Sequence, residues 1–164
     1  MADGLILDGD GDALSQMAGL ANKVLILAMI NAVKEYGLDC PHEITVTDAM
    51  RIFNGVGPSW MPEEYRKKLD KYSKTIMPAV FVHDNDYANG DGTLLDFQLA
   101  NKRLHSNGVK CADIVYAWYN PMRYIVRHQA KVYANLCDLL GFPAYAAAVE
   151  ERKQYNHETE NKEA

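Results

Sequence analysis

The chain has 164 residues, 48% hydrophobic and 24% charged, the make-up of a globular domain with enough material to bury a core. A formal net charge of −5 and a pI near 5.5 speak against a nucleic-acid partner, because phosphate binding needs a basic stripe and the sequence carries none. The same acidity argues against electrostatic docking on anionic membranes, though not against binding neutral lipid.

Met1-Ala2-Asp3-Gly4 lacks the basic start of a signal peptide, and the longest apolar run, Val24 to Ile30, falls short of the roughly 20 residues a membrane span needs. The expectation is a protein cytoplasmic as made, without a transmembrane segment, with release by another route and the oligomeric state left open. Cys40, Cys111 and Cys137 are too few and too scattered for a disulfide framework or a zinc site, and read as reduced thiols.

Residues 1 to about 13 read as a flexible acidic leader. Asp8-Gly9-Asp10-Gly11-Asp12 invites a calcium-loop reading, but the pattern needs Gly at its sixth position and Glu at its twelfth, where Ala13 and Gly19 stand. Leu14 to Tyr36 is the clearest helix: Leu14, Met17, Leu20, Ala21, Val24, Leu27 and Ile30 follow the spacing of one buried face, and Gly37 sits at the C-cap. Thr47 to Phe53 predicts a short helix running into Asn54-Gly55-Val56-Gly57-Pro58. Pro62-Glu63-Glu64 opens another, to about Lys71, with proline near N1 and acids in the first turn.

Pro78 is a natural start for a helix through Asn89, stopped by Gly90-Asp91-Gly92. Thr93 then caps a helix expected to end at Asn107-Gly108. A last helical region, Ala112 to Leu140, is interrupted by Asn120-Pro121 and closed by Gly141-Phe142-Pro143. Its aromatics, Tyr116, Trp118, Tyr119, Tyr124 and Tyr133, read first as core and second as a lipid-facing rim. Residues 151 to 164 turn charged and read as a solvated tail. Ile44-Thr45-Val46 is a weak strand signal. The fold class is all-α, a single domain with two antiparallel central helices carrying the site, a long N-terminal helix and a broken C-terminal helix.

His83-Asp84-Asn85-Asp86-Tyr87 carries the chemistry. On a helix, His83 and Tyr87 stand four apart and share a face, while Asp84 lies about a quarter-turn away. The turn at residues 90–92 sends the chain back, so Asp96 on the returning helix is expected opposite both His83 and Tyr87. A carboxylate there would hold the imidazole in one tautomer and bind the phenol, preparing His83 as a general base for water. Asp84 is left to ligate a cation, with backbone carbonyls of the Asn54–Gly57 turn aimed at the same ion, an oxygen set that suits calcium. Each piece also has a plain reading: His83-Asp84 as a surface pair, Asp96 as the third residue of a capping box behind Thr93, and Asn54-Gly55 as a helix stop. His105 and His128 read as surface or satisfied core histidines.

His83-Asp84-x-x-Tyr87, with Asp96-Phe97 on the next helix and Phe53-Asn54-Gly55-Val56-Gly57-Pro58-Ser59-Trp60 upstream, resembles the phospholipase A2-like superfamily. The branch it is most similar to is the short, disulfide-free prokaryotic and phage-associated one, over roughly residues 50 to 146. The resemblance implies a calcium-dependent hydrolase cleaving the carboxylic ester of a phospholipid or other lipid ester. His83 would activate water, Asp96 would orient His83, and Tyr87 would support Asp96. Calcium would be bound by Asp84 and the carbonyls of Phe53, Gly55 and Gly57, polarising the ester carbonyl. The shortened glycine turn, with Pro58 directly after Gly57, departs from the fuller calcium loop of secreted members. The alternative is a non-catalytic structural or interaction protein of a phage or mobile element that retains the fold. A third reading, another metal-dependent hydrolase, lacks further His/Asp pairs of useful spacing.

Overall fold

The computed structural model describes residues 10–53 and 73–163, together with Pro62 and Glu64. These residues are helical and irregular, with no strand among them: α1 (Asp10–Glu35), α2 (Val46–Ile52), α3 (Met77–Asn89), α4 (Leu94–Val115), α5 (Pro121–Leu140) and α6 (Phe142–Glu163). A single 3-10 turn, Lys74–Ile76, leads into α3. The expected helix from Pro62 to Lys71 lies outside the described residues, apart from Pro62 and Glu64. No single helix among the described residues is long and apolar enough to cross a membrane.

The first helix begins at Asp10, earlier than the expected leader allows, and places Asp10 and Asp12 in its first turn, where the helix dipole favours acids. Its buried face is also not the one the spacing suggested. Ile26 and Val33 are buried and Met29 and Ile30 half-buried, whereas Leu20, Val24 and Leu27 are exposed. Val24 to Ile30 is apolar nearly all the way round, so periodicity could not choose the side; contact with α2 and α3 does. Gly37 closes α1 with φ +57°, and Leu38 N–H returns to the Val33 carbonyl, satisfying an orphan acceptor of the last turn. The segment leaving α1 is stitched to α4 by buried Asn107, which accepts from Asp39 N–H and donates to the Asp39 carbonyl.

The Ile44–Val46 strand signal resolves into a cap instead. Thr45 is extended and its hydroxyl accepts from Asp48 N–H, starting α2.

Central to the fold is α3, buried at almost every position from Met77 to Ala88 and touched by α1, α2, α4 and α6. Burial of a single side chain such as Phe81 is worth roughly 1.5–3 kcal/mol. Asp84 is the one residue between Met77 and Ala88 that is not fully buried.

Thr93 caps α4 as expected, but α4 runs through Asn107-Gly108 to Val115. Gly108 is there for contact rather than termination: a Cβ would stand 2.6 Å from the Ala130 Cβ. The small residues Ala130 and Ala134, buried on α5 with Val126, let the two helices approach closely. Ala112 to Val115 therefore belong to α4, and Asn120 starts α5 by accepting from Met122 N–H, with Pro121 at the helix start.

Gly141-Phe142-Pro143 does not end the helical chain either. The axis bends by 75° there and α6 continues to Glu163, because proline fits the first turn of a helix. The charged residues after Glu150 are thus the exposed faces of a helix, and Arg152 binds Asp48 of α2 at 2.8 Å. Of the aromatics in this region, Tyr116 and Tyr133 are half-buried, with their hydroxyls on Thr75 and Ser73. Trp118, Tyr119 and Tyr124 are exposed, against the core reading.

Candidate active site

His83 and Tyr87 share one face of α3, as their spacing requires. Their rings stand 4.1 Å apart and both side chains are buried. The group opposite them is Asn101. Its Oδ1 lies 2.8 Å from His83 Nε2 and accepts the Tyr87 hydroxyl at 2.8 Å. Its Nδ2 donates to Asp138 Oδ1 at 2.8 Å. A carboxylate can only accept from this amide, so Asp138 fixes which way Asn101 points. With Oδ1 turned to the imidazole, the proton of that bond sits on His83 Nε2, and Nδ1 is the nitrogen turned to Asp84.

Asp96 does not fill the expected role. Its carboxylate accepts from the Tyr145 hydroxyl at 2.8 Å and from Asp91 N–H at 3.2 Å, and its own N–H bonds the Thr93 hydroxyl. It stands three residues behind the Thr93 cap, as in its plain reading, but its carboxylate takes Asp91 N–H while Thr93 N–H goes to Asp91 Oδ1. The reason is register. Reflecting an antiparallel pair about Gly92 sets position 83 against 101 and position 87 against 97, and the Tyr87 and Phe97 rings are indeed 5.9 Å apart. Asp96 falls five residues short of Asn101, about 7.5 Å along the axis at the helical rise. Tyr87 accordingly supports Asn101, not Asp96.

Asp84 Oδ1 is 3.9 Å from His83 Nδ1. Burial works against a proton on His83, but Asp84 and then Cys137 outweigh it, and the group is pushed up to about 10. Burial raises Tyr87 far above the usual phenol range, so it stays a neutral donor to Asn101. Asp86, 1% exposed, is held at 2.7 Å by Arg103 Nε; burial raises its carboxyl and the guanidinium partly offsets that. Asp86 and Arg103 clamp α3 to α4, and the charges of His42 and His83 also act on the Asp86 carboxyl.

Of the expected calcium ligands, Phe53 caps α2 and packs its ring on Phe81 at 5.2 Å, bordering the same shallow depression as Asp84 and Asn85. Gly55 and Gly57, with the rest of the Asn54–Trp60 stretch, lie outside the described residues. What remains is one carboxylate and one backbone carbonyl, short of the six to eight oxygens calcium takes. No group of three or more His, Cys, Asp or Glu suited to a metal occurs among the described residues. His105 is half-buried and His128 exposed, as ordinary histidines.

Asn101 and Asp138 are absent from the sequence reading, which has Cys137 only as a reduced thiol. Asn101 was within reach of the hairpin arithmetic; Cys137 and Asp138 depend on where α5 ends, which no local pattern fixes. Comparison with protein-family models, curated proteins and solved structures finds no match, so no family is established by likeness.

Proposed function

We propose that the chain is a hydrolase of carboxylic esters, phospholipase A2-like in its site, with a lipid ester as substrate. The observation that carries this reading is the pair of hydrogen bonds on Asn101 Oδ1, from His83 and Tyr87 together. They hold the imidazole in one tautomer and one orientation, with Nδ1 presented beside Asp84. Above about pH 10, where Nδ1 has given up its own proton, His83 takes a proton there as water attacks the ester carbonyl, and returns it to the departing alcohol. Asn101 does for the imidazole what Asp96 was expected to do, and Asp138 supplies the negative charge one hydrogen bond further back.

Calcium, where bound by Asp84 and the carbonyls of Phe53, Gly55 and Gly57, would polarise the ester carbonyl; the steps assigned to His83 do not run through it. Hydrolysis of a short-chain nitrophenyl ester and of phosphatidylcholine vesicles, with and without chelator, tests the reading. Activity lost in His83→Gln is the expected result, and equal activity in that variant would sink the mechanism. A melt in millimolar calcium tests the metal separately, because a ion held only by the native state raises the midpoint.

A further inference from the structure

Along α5, Met122, Ile125, Gln129, Val132, Leu136 and Leu139 follow one another at alternating steps of three and four residues. That alternation is the a and d seam of a coiled coil, which keeps one stripe of a helix against a second helix. The stripe is not the face that packs inside the molecule. Val126, Ala130 and Ala134 hold that place and are buried, Ala130 against Gly108 of α4. The apolar members of the outer stripe range from 39% exposed at Val132 to 77% at Leu139.

Charge keeps off the same side. The stripe is bordered by His128 and Asn135 on one edge and by Val126, Tyr133 and Leu140 on the other. At roughly 100° per residue, Arg123, Arg127, Lys131 and Asp138 all fall on the remaining arc of the helix. Arg123 and Arg127 are turned to Asp113 of α4, at 2.7 and 3.8 Å. Pairing the stripe therefore buries no charge.

We propose that two copies of this chain pair antiparallel through the outer face of α5, as a two-fold dimer. The stripe is self-complementary when reversed. About an axis between Ala130 and Lys131, Met122 meets the partner's Leu139, Ile125 the partner's Leu136 and Gln129 the partner's Val132. Each layer joins an a position to a d position, and the isologous contact closes at two copies. The surface beyond the helix ends fits the same arrangement. Trp118 and Tyr119, each 73% exposed before α5, come to the partner's Leu140 and Phe142 at the far end. A stable interface takes about 800 Å² from each partner. The two exposed rings alone bring on the order of 300 Å², and the stripe runs on for about 30 Å of helix. A lipid surface is the less fitting occupant, because interfacial helices free their Lys and Arg for head groups, and here both arginines are committed to Asp113. The pairing does not depend on the ester reading.

Sedimentation equilibrium of the full chain at micromolar concentration is expected to give twice the 18.4 kDa chain mass. Leu136→Glu should weaken association roughly a hundredfold, since each dimer loses two buried leucines. Helicity by circular dichroism should be retained, because Leu136 lies on the surface of the single chain. Leu95→Glu, at a still more exposed position on α4, should leave the dimer intact. With Ile125→Cys and Leu136→Cys in one chain, oxidation should link position 125 of one copy to position 136 of the other. A monomer mass throughout, or a dimer indifferent to Leu136→Glu, overturns the proposal. A monomer that binds phosphatidylcholine vesicles, and loses that binding in Leu136→Glu, overturns it in favour of a lipid surface. A link from position 125 to position 125 in Ile125→Cys overturns the antiparallel arrangement.

Discussion

The α3–α4 hairpin holds a tyrosine hydroxyl against a side-chain oxygen at each of two levels. Near the turn, Tyr145 from α6 donates to Asp96, and Gly92 N–H closes onto the same hydroxyl at 2.9 Å. Deeper in, Tyr87 donates to Asn101, which also holds His83 and leans on Asp138. The two levels use the same kinds of groups for different ends. At the turn every partner is a cap or a backbone amide, so the bonds fix where α4 starts and where α6 docks. At the deeper level the bonds orient an ionisable ring whose second nitrogen is turned towards the Asp84 carboxylate. A carboxylate near a His-x-x-x-Tyr face is therefore not by itself an orienting group; its level on the opposing helix decides.

The largest expected effect separates the levels by chemistry. His83→Gln should lower ester cleavage by about 10²–10⁴-fold, the usual worth of a positioned acid–base group, with helicity by circular dichroism retained. Next comes Asn101→Ala, which strands the Tyr87 hydroxyl, the His83 N–H and one Asp138 oxygen at once. A cost of roughly 1–3 kcal/mol in urea unfolding is expected for the buried groups left unpaired, together with at least a tenfold loss of activity.

Asp96→Ala should behave in the opposite manner. Loss of the carboxylate's bonds from Asp91 N–H and the Tyr145 hydroxyl should cost about 1 kcal/mol, with activity per folded molecule unchanged. An Asp96 variant that folds well and loses activity as fully as the Asn101 variant would reverse the roles of the two levels.

A further effect is one of pH. His83 binds its proton more tightly in the fold, up to about 10, than in the unfolded chain, where roughly 6.5 applies. The sign follows: its contribution to stability is complete below about pH 6.5 and is lost as pH rises through about 10. Melting points at pH 6 and pH 10.5 should therefore differ more in the unaltered protein than in His83→Gln. At the turn level burial and then Asp96 push Tyr145 up to about 12, so Asp96→Ala should change the difference only through that group's onset of titration near pH 10.5.

Much of this fold was legible because local chemistry and packing agree. Thr93 capping α4, Gly37 ending α1 and the shared face of His83 and Tyr87 all follow from short-range rules that the packing leaves intact. Legibility failed where a residue's role is set by its neighbour across a helix interface. Gly108 resembles a stop but makes room for Ala130, and Pro143 resembles a stop but starts α6. The apolar run of α1 carries no face of its own until α2 and α3 provide one. For the site, residue types on α3 were readable, whereas the partner on α4 required the register of the hairpin. Cys137 and Asp138 required the end of α5, a tertiary fact with no local sign.

The central claim is that Asn101, and not Asp96, holds His83. Imidazole nitrogen chemical shifts of His83, read by two-dimensional NMR in protein labelled with ¹⁵N histidine, report the proton on Nε2 and its hydrogen bond without recourse to any substrate. The account predicts that Asp96→Asn leaves both His83 nitrogen shifts in place while Asn101→Ala moves the Nε2 signal. A His83 spectrum that is unmoved by Asn101→Ala and altered by Asp96→Asn would contradict it.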